Sequence, residues 1–166
     1  MNVRPLGDAD RPWLRGMLRD GWGDEMMVGA GRRFFPAEHA GFVAGDREGV
    51  VTYRFDAGAC EITLIESFDP GRGIGIALLG AVRDAARAAG VDRIWLVTTN
   101  DNLHARAWYG RRGFRVTAVR KGAIDEARRR WKPSIPLRNA DTGLPIRDEI
   151  ELELRVDGPA TAPGAG

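Results

Sequence analysis

From residue 73 to 89 apolar side chains recur at helical spacing. Ile74, Leu78, Val82 and Ala85 fall on one face and Arg83, Asp84 and Arg87 on the other. That period predicts an amphipathic helix, with Gly90 as its stop. The segment before it has a different period. Gly41–Ala44 and Val50–Phe55 flank the turn residues 45–49, and Asp56-Ala57-Gly58 separates the second run from a third, Cys60–Phe68. Three short extended runs joined by tight turns predict an antiparallel meander. After the helix, Arg93–Thr98 (RIWLVT) is apolar on both faces, as a central strand is. Strand, helix and buried strand in succession predict a βαβ crossover and a parallel pair.

The remaining elements follow the same logic. Asn2–Leu6 reads as a first strand. A helix follows over 10–19, capped by Asp8 or Asp10, with Trp13, Leu14, Met17 and Leu18 inward. Gly21–Pro36 reads as an irregular helical segment with loops. A helix over 103–112 has Asp101 or Asn102 as cap and Gly113 as stop, and Phe114–Val119 is a strand. Residues 122–130 form a short helix, 131–148 are rich in Pro and Gly, and Glu149–Val156 alternates strictly as a last strand. The expectation is one α/β domain over residues 1–156, a mixed central sheet with antiparallel N-terminal strands and flanking helices. The low-complexity tail 157–166 is expected to be disordered.

Composition narrows the classes. The chain has 166 residues, a net charge of +2 and one cysteine, Cys60. An internal disulfide and a multi-cysteine metal site are therefore excluded, and no metal is expected. Arg128-Arg129-Arg130 is the densest basic run and reads as a solvated helix face, so no nucleic-acid partner is expected. No apolar run approaches ~18 residues, so no membrane span is expected. The N-terminus MNVRPLGDADRPW lacks a secretory apolar stretch, and the expected location is the cytoplasm.

The stretch DPGRGIGIALLGAV, residues 69–82, puts Gly71, Gly73 and Gly75 directly before the helix. A helix N-terminus has unpartnered N–H groups and the positive end of the dipole. Glycines there let a bulky anion approach, so the stretch reads as a phosphate cradle or as a tight turn. It is not a P-loop, which needs Lys and then Ser or Thr, nor a dinucleotide fingerprint, since Leu78 stands where the last glycine belongs.

Cys60–Phe114 resembles the core of the GNAT superfamily of acetyl-CoA-dependent N-acetyltransferases. That pattern is a strand, a [Gln/Arg]-x-x-Gly-x-[Gly/Ala] pyrophosphate loop, a helix, a strand, and a helix bearing N-x-x-A-x-x-[hydrophobic]-Y-x-x-x-G-F. The chain has GRGIGIALL and then NLHARAWYGRRGF, matching at Asn102, Ala105, Trp108, Tyr109, Gly113 and Phe114. The register that keeps Leu78-Leu79 on the helix puts Pro70 at the Gln/Arg position, leaving Arg72 as the nearby cation.

The resemblance implies a GNAT-like fold and transfer of acetyl from acetyl-CoA to a primary amine of a small molecule or peptide. Tyr109 matches the family's general acid, and Asn102 a contact to the pantetheine arm, a role that coexists with capping. The donor-binding set it implies is Ile65, Gly71, Arg72, Gly73, Ile74, Gly75, Ile76 and Asn102. A backbone N–H near Ile65–Glu66 is the implied oxyanion donor. The base is Glu61 or Glu66, Glu61 first because some members use a glutamate early in this strand. Five residues apart, the two fall on opposite faces of a regular strand, and a bulge would change that. His104 reads as an exposed helix residue. Segment 121–148 is expected to set the acceptor, with Asp125 and Glu126 as partners for a cation; the alternative is a lid or a homodimer contact. Competing functions are transfer of another acyl group, and an acyl-CoA-binding regulatory domain.

Overall fold

The structure is a computed structural model and describes residues 1–157. In chain order the elements are β1 (Val3–Pro5), α1 (Arg11–Trp22), β2 (Met27–Gly29), β3 (Arg32–Phe34), β4 (Ala40–Ala44), β5 (Gly49–Asp56), β6 (Ala59–Ser67), α2 (Ile74–Ala88), β7 (Arg93–Thr99), α3 (Leu103–Arg111), β8 (Arg115–Arg120), α4 (Ala123–Arg130) and β9 (Glu149–Arg155). All but residue 157 of the expected tail lies outside the described residues. The chain forms two compact units, one of residues 1–27 and 35–94, the other of 28–34 and 95 onward.

In the first unit the strands run β1-β4-β5-β6, every pair antiparallel. The expected meander is present. Leu14 and Leu18 of α1 are fully buried with Leu6, Ala37, Val43, Val50 and Leu64, and Trp13, Met17 and Met27 pack against this cluster. On α2 the buried stripe is Ile74, Leu78, Val82 and Ala86, with Leu79 beside it. The fourth position is thus Ala86 rather than Ala85, because strict steps of four hold along this short helix. The helix ends as expected. Gly90 has φ +70°, and its N–H bonds Arg87 O at 3.0 Å while Val91 N–H bonds Ala86 O at 2.9 Å, a Schellman motif.

Two expectations in this unit change. Asp10 stands at the start of α1, but its side chain makes no cap bond. It is 3% exposed and accepts from Arg4 at 2.7 and 3.0 Å, Gly7 N–H at 3.0 Å and Arg47 at 3.1 Å. The Arg4 hydrogen bonds hold its carboxyl far below the usual range, against the cost of burial. Gly21–Pro36 is not helical from Gly23 to Phe35. It makes the β2–β3 hairpin, because Ala30 (φ +51°) and Gly31 (φ +75°) form a two-residue turn with both central φ positive.

In the second unit the order is β7-β9-β8, with β8 and β9 antiparallel. On β7 only Ile94 and Leu96 are buried, while Arg93, Trp95 and Val97 are half-buried. Two of those three side chains carry a polar end, which keeps that face part-way in water. The alternation of β9 does not become buried against exposed. Glu149 and Glu153 are buried along with Ile150, Leu152 and Leu154. Arginines make that tolerable: Arg120 reaches Glu149 at 2.7 Å and Glu151 at 2.6 Å, and Arg155 reaches Glu153 at 3.0 Å.

Segment 131–148 is tied down by polar contacts. Arg128 donates to the carbonyls of Ile135, Pro136 and Ile146 at 2.7–2.9 Å. The Asn100 amide donates to Pro145 O at 2.9 Å, and its oxygen accepts from Arg147 and Asp148 N–H at 3.0 Å.

Candidate active site

The loop from Asp69 delivers the chain into α2 through two left-handed glycines, Gly71 (φ +87°) and Gly73 (φ +75°). Gly73 is the N-cap and has no side chain to cap with. A Cβ at either glycine would meet no atom within 4 Å, so a methyl would occupy open space in front of the helix. The first intrahelical bond runs from Ala77 N–H to Gly73 O at 3.0 Å. The N–H groups of Ile74, Gly75 and Ile76 precede it and are the orphan donors of this terminus. Ile74 is 1% exposed, so its side chain anchors the turn in the core while its N–H belongs to the helix end. This arrangement suits an anion such as a pyrophosphate. Pro70 adds no donor. Arg72 is half-exposed and clasped by Glu48 at 2.8 Å and Asp69 at 3.0 Å, bonds that raise its pKa.

The strand before the loop is bulged. Residues 62 and 64 of β6 pair with the adjacent residues Tyr53 and Thr52 of β5, so Thr63 is the extra residue. Glu61 pairs with Arg54 and Glu66 with Val50. Those partners are four apart on β5 and share a face, so the bulge brings both glutamates onto one side of the sheet. The Thr63 hydroxyl meets Thr52 Oγ1 at 2.7 Å and His39 Nδ1 at 2.9 Å.

The two glutamates differ in surroundings. Glu61 is 1% exposed and bound to Arg54 Nε at 2.8 Å. Glu66 is half-buried and lines a cleft of about 750 Å³ with Trp13, Met17, Asp20, Trp22 and Phe68. Burial pushes the Glu66 carboxyl above its usual value, while a hydrogen bond from the Trp22 indole acts the other way. Ile65, its neighbour on β6, is half-buried.

In the second unit Asn102 caps α3. Its oxygen accepts from Ala105 N–H at 3.3 Å, and its amide donates to Thr98 Oγ1 at 3.2 Å. Tyr109 is 8% exposed, with its ring edge-on to Trp108 at 5.4 Å and Phe114 at 5.3 Å. His104 is exposed, as expected. Asp125 is already paired with Arg128 at 2.9 Å and Arg147 at 3.0 Å, which hold its pKa low. Glu126 is exposed.

Sequence reasoning missed the cleft. Trp13 and Met17 pack against the core cluster, as their spacing predicts, and also line the cleft with Asp20, Trp22 and Phe68. The available signal was Trp13, Gly16, Met17 and Asp20 at steps of three and four. A glycine and an aspartate there interrupt a face that a plain core helix would keep apolar. Among the described residues no helix is long and apolar enough to cross a membrane, and no three His, Cys, Asp or Glu side chains group as metal ligands.

A bulged strand, an open glycine lead-in to a helix, a further strand and an Asn-capped helix bearing tyrosine define an α/β fold of the acyltransferase type. Comparison with known proteins agrees. The family model described as "Acetyltransferase (GNAT) family" matches residues 10–114, and the chain belongs to that family. It is 36% identical over 156 residues to the uncharacterized protein YxbD of Bacillus subtilis (strain 168), covering 92% of this chain and 97% of that one. Among solved structures it resembles the IAA acetyltransferase of Bacillus cereus ATCC 14579, with TM-score 0.67, 18% identity and coverage of 93% and 98%. It also resembles a GNAT family acetyltransferase from Elizabethkingia anophelis with acetyl-CoA bound, with TM-score 0.62, 20% identity and coverage of 93% and 97%. These likenesses establish the mixed α/β GNAT fold.

Proposed function

We propose that this protein transfers the acetyl group of acetyl-CoA to a primary amine. The observation that carries this reading is the start of α2, where Gly71 and Gly73 leave open space before three orphan N–H groups in a chain of this family. Ile74, Gly75 and Ile76 would hold the pyrophosphate through their N–H groups, with the helix dipole behind them. Arg72 would reach a phosphate only by leaving Glu48 and Asp69, which hold it here, and Ile65 and Asn102 complete the donor-binding set. Acetyl-CoA supplies the acetyl as a thioester: a C–N bond forms as the C–S bond breaks, giving amide, thiol and one net proton from an ammonium acceptor.

The chain's own part is to move protons. A free ammonium has a pKa of ~10.4 and must lose its proton before it attacks. Glu66 is the acceptor for that proton, because it lines a cleft and burial makes its carboxylate more basic. Glu61, bound to Arg54, orders the strand beside it. Tyr109 gives its hydroxyl proton to the departing sulfur and recovers one from the acylated nitrogen through solvent. Residues 1–156 act as a single domain in this reading, since the family match runs through both compact units. The reading has the protein working in the cytoplasm, where a lone Cys60 stays reduced.

The test is to incubate the protein with acetyl-CoA and a panel of amines and look for N-acetyl products by mass spectrometry. Tyr109→Phe keeps the ring packing and should lower kcat by about 10²–10⁴-fold, with CoA affinity unchanged. If CoA binds but no amine is acetylated, the domain is an acyl-CoA-binding module. If Tyr109→Phe keeps full kcat with chemistry rate-limiting, Tyr109 is not the acid.

A further inference from the structure

The cleft between α1 and the end of β6 carries its own selectivity. Its floor is made by helical steps along α1, Trp13, Gly16–Met17 and Asp20, and its wall by Glu66 and Phe68 of the β6 end. Trp22 is 43% exposed and Phe68 46%, so two large aromatic faces stand in water at a concave site. Apolar surface held open in a concavity is the mark of a ligand site more often than of a stray side chain. The volume, about 750 Å³, suits a small molecule.

The charge among the lining residues has one sign. Glu66 and Asp20 are the ionisable groups there, and among the described residues no lysine, arginine or histidine lines the cleft. Arg47 lies 5.4 Å from the Trp13 ring centre but does not line the cleft, and its guanidinium is tied to Asp10 at 3.1 Å, a carboxylate that it shares with Arg4. Aromatic faces beside carboxylates attract an organic cation twice, through the ring quadrupole and through the carboxylate. The same walls repel an anion, and they offer no guanidinium or ammonium to pair the carboxylate of an amino acid.

We propose that this cleft takes the acceptor, and that the acceptor is a cationic amine on an apolar body with no carboxylate beside its ammonium. This rests on the acetyltransferase reading and narrows it. The ammonium lies against Glu66, the group that removes its proton, and the apolar body lies against Trp22 and Phe68. Asp125 plays no part in this selection, since two arginines already hold it.

Calorimetry with three probes of similar aromatic body tests this without turnover: phenethylamine, phenylalanine and hydrocinnamate, each titrated with and without saturating CoA. Phenethylamine should bind about 10-fold or more tightly than phenylalanine, and hydrocinnamate should not bind. Glu66→Gln should cost phenethylamine about 10-fold, and the surface change Asp20→Asn less, with CoA affinity kept in both. Equal binding of phenethylamine and phenylalanine, or no loss in Glu66→Gln, overturns the proposal. So does competition between CoA and phenethylamine, which would make the cleft part of the donor site. If the wild type fails to bind CoA itself, the acetyltransferase reading falls, an outcome separate from these.

Discussion

Replacing Gly73 by alanine separates a phosphate seat from a tight turn. Gly73 and Gly90 flank α2, both with left-handed φ, +75° and +70°, and both with open space where a Cβ would go. A left-handed alanine costs roughly 1–2 kcal/mol at either position. For a chain of this size that lowers Tm by about 2–4 °C per kcal/mol. The two variants should therefore be destabilised alike. They differ in what the methyl blocks. At Gly73 it occupies open space at the N-terminus of the helix, where the proposed reading seats the pyrophosphate. At Gly90 it lies at the far end of a helix about 22 Å long. A hydrogen bond to a charged group is worth ~1.5–3 kcal/mol, so losing one weakens CoA by about 10–150-fold. Calorimetric titration with CoA, alongside thermal melts, reads both quantities. Gly73→Ala should lose affinity and stability, and Gly90→Ala stability alone. Wild-type affinity in Gly73→Ala would reduce the glycine stretch to a turn. Equal loss in both variants would trace the effect to the helix as a whole.

Three further outcomes follow from buried titrating groups. Glu66 holds a raised pKa, so the folded state keeps its proton to higher pH than the unfolded chain; that costs stability as pH rises through this window and leaves a penalty at neutrality. Glu66→Gln should therefore melt higher than wild type at pH 7, lose that gain below about pH 4, and lose acetylation near neutrality while recovering at high pH; a lower Tm at pH 7 refutes the burial argument. Asp10 is the opposite case: its depressed pKa gives stability that is full above the unfolded value and lost as pH falls through the folded one. Asp10→Asn should cost about 2–3 kcal/mol at pH 7 by chemical denaturation, and the difference from wild type should shrink as pH drops below about 4; a pH-independent difference would assign the loss to packing. Burial first and Glu61 second push the Cys60 thiol up to about 12, so iodoacetamide at pH 8 should leave the native protein unlabelled and label it in denaturant.

Much of the architecture was legible because it was written in local periods. The meander, α2 with its Gly90 stop, and α3 with its Asn102 cap depend on neighbours a few residues apart, and those are visible in one sequence. What failed depended on distant partners or on backbone angles. Asp10 looked like a cap because aspartate before a helix usually is one, yet Arg47 claims it from 37 residues away. Ala30-Gly31 gave no recognised turn signal, since alanine rarely adopts positive φ. The strict alternation of β9 does not show that Glu149 and Glu153 are buried, because the partners that make it tolerable, Arg120 across the strand pair for Glu149 and Arg155 for Glu153, leave no mark in that period.

The bulge at Thr63 shows how one residue decides the chemistry of the site. In a regular strand Glu61 and Glu66 would point to opposite faces, and one of them would be lost from the face that Val50 and Arg54 share. With one extra residue the register carries Glu61 to Arg54 and Glu66 to Val50 on a single face. There their surroundings differ. Ion pairing at 2.8 Å ties Glu61 to Arg54 on the neighbouring strand. Glu66 keeps a partly desolvated carboxylate with an indole as its hydrogen-bond donor, and in the proposed reading it takes the acceptor's proton. A bulge leaves no mark in composition or period, because the inserted threonine is an ordinary strand residue. Its trace is in the pairing alone: Thr63 donates to or accepts from Thr52 and His39, two hydroxyl and ring contacts that satisfy the extra residue and fix where the register slips. Deleting Thr63 would put Glu61 and Glu66 four residues apart, so regular pairing keeps both on the face of Arg54 and Val50. Glu66 should therefore stay beside Trp22 and the tryptophan fluorescence of the folded variant should stay close to that of the wild type; a large change in it would refute this register.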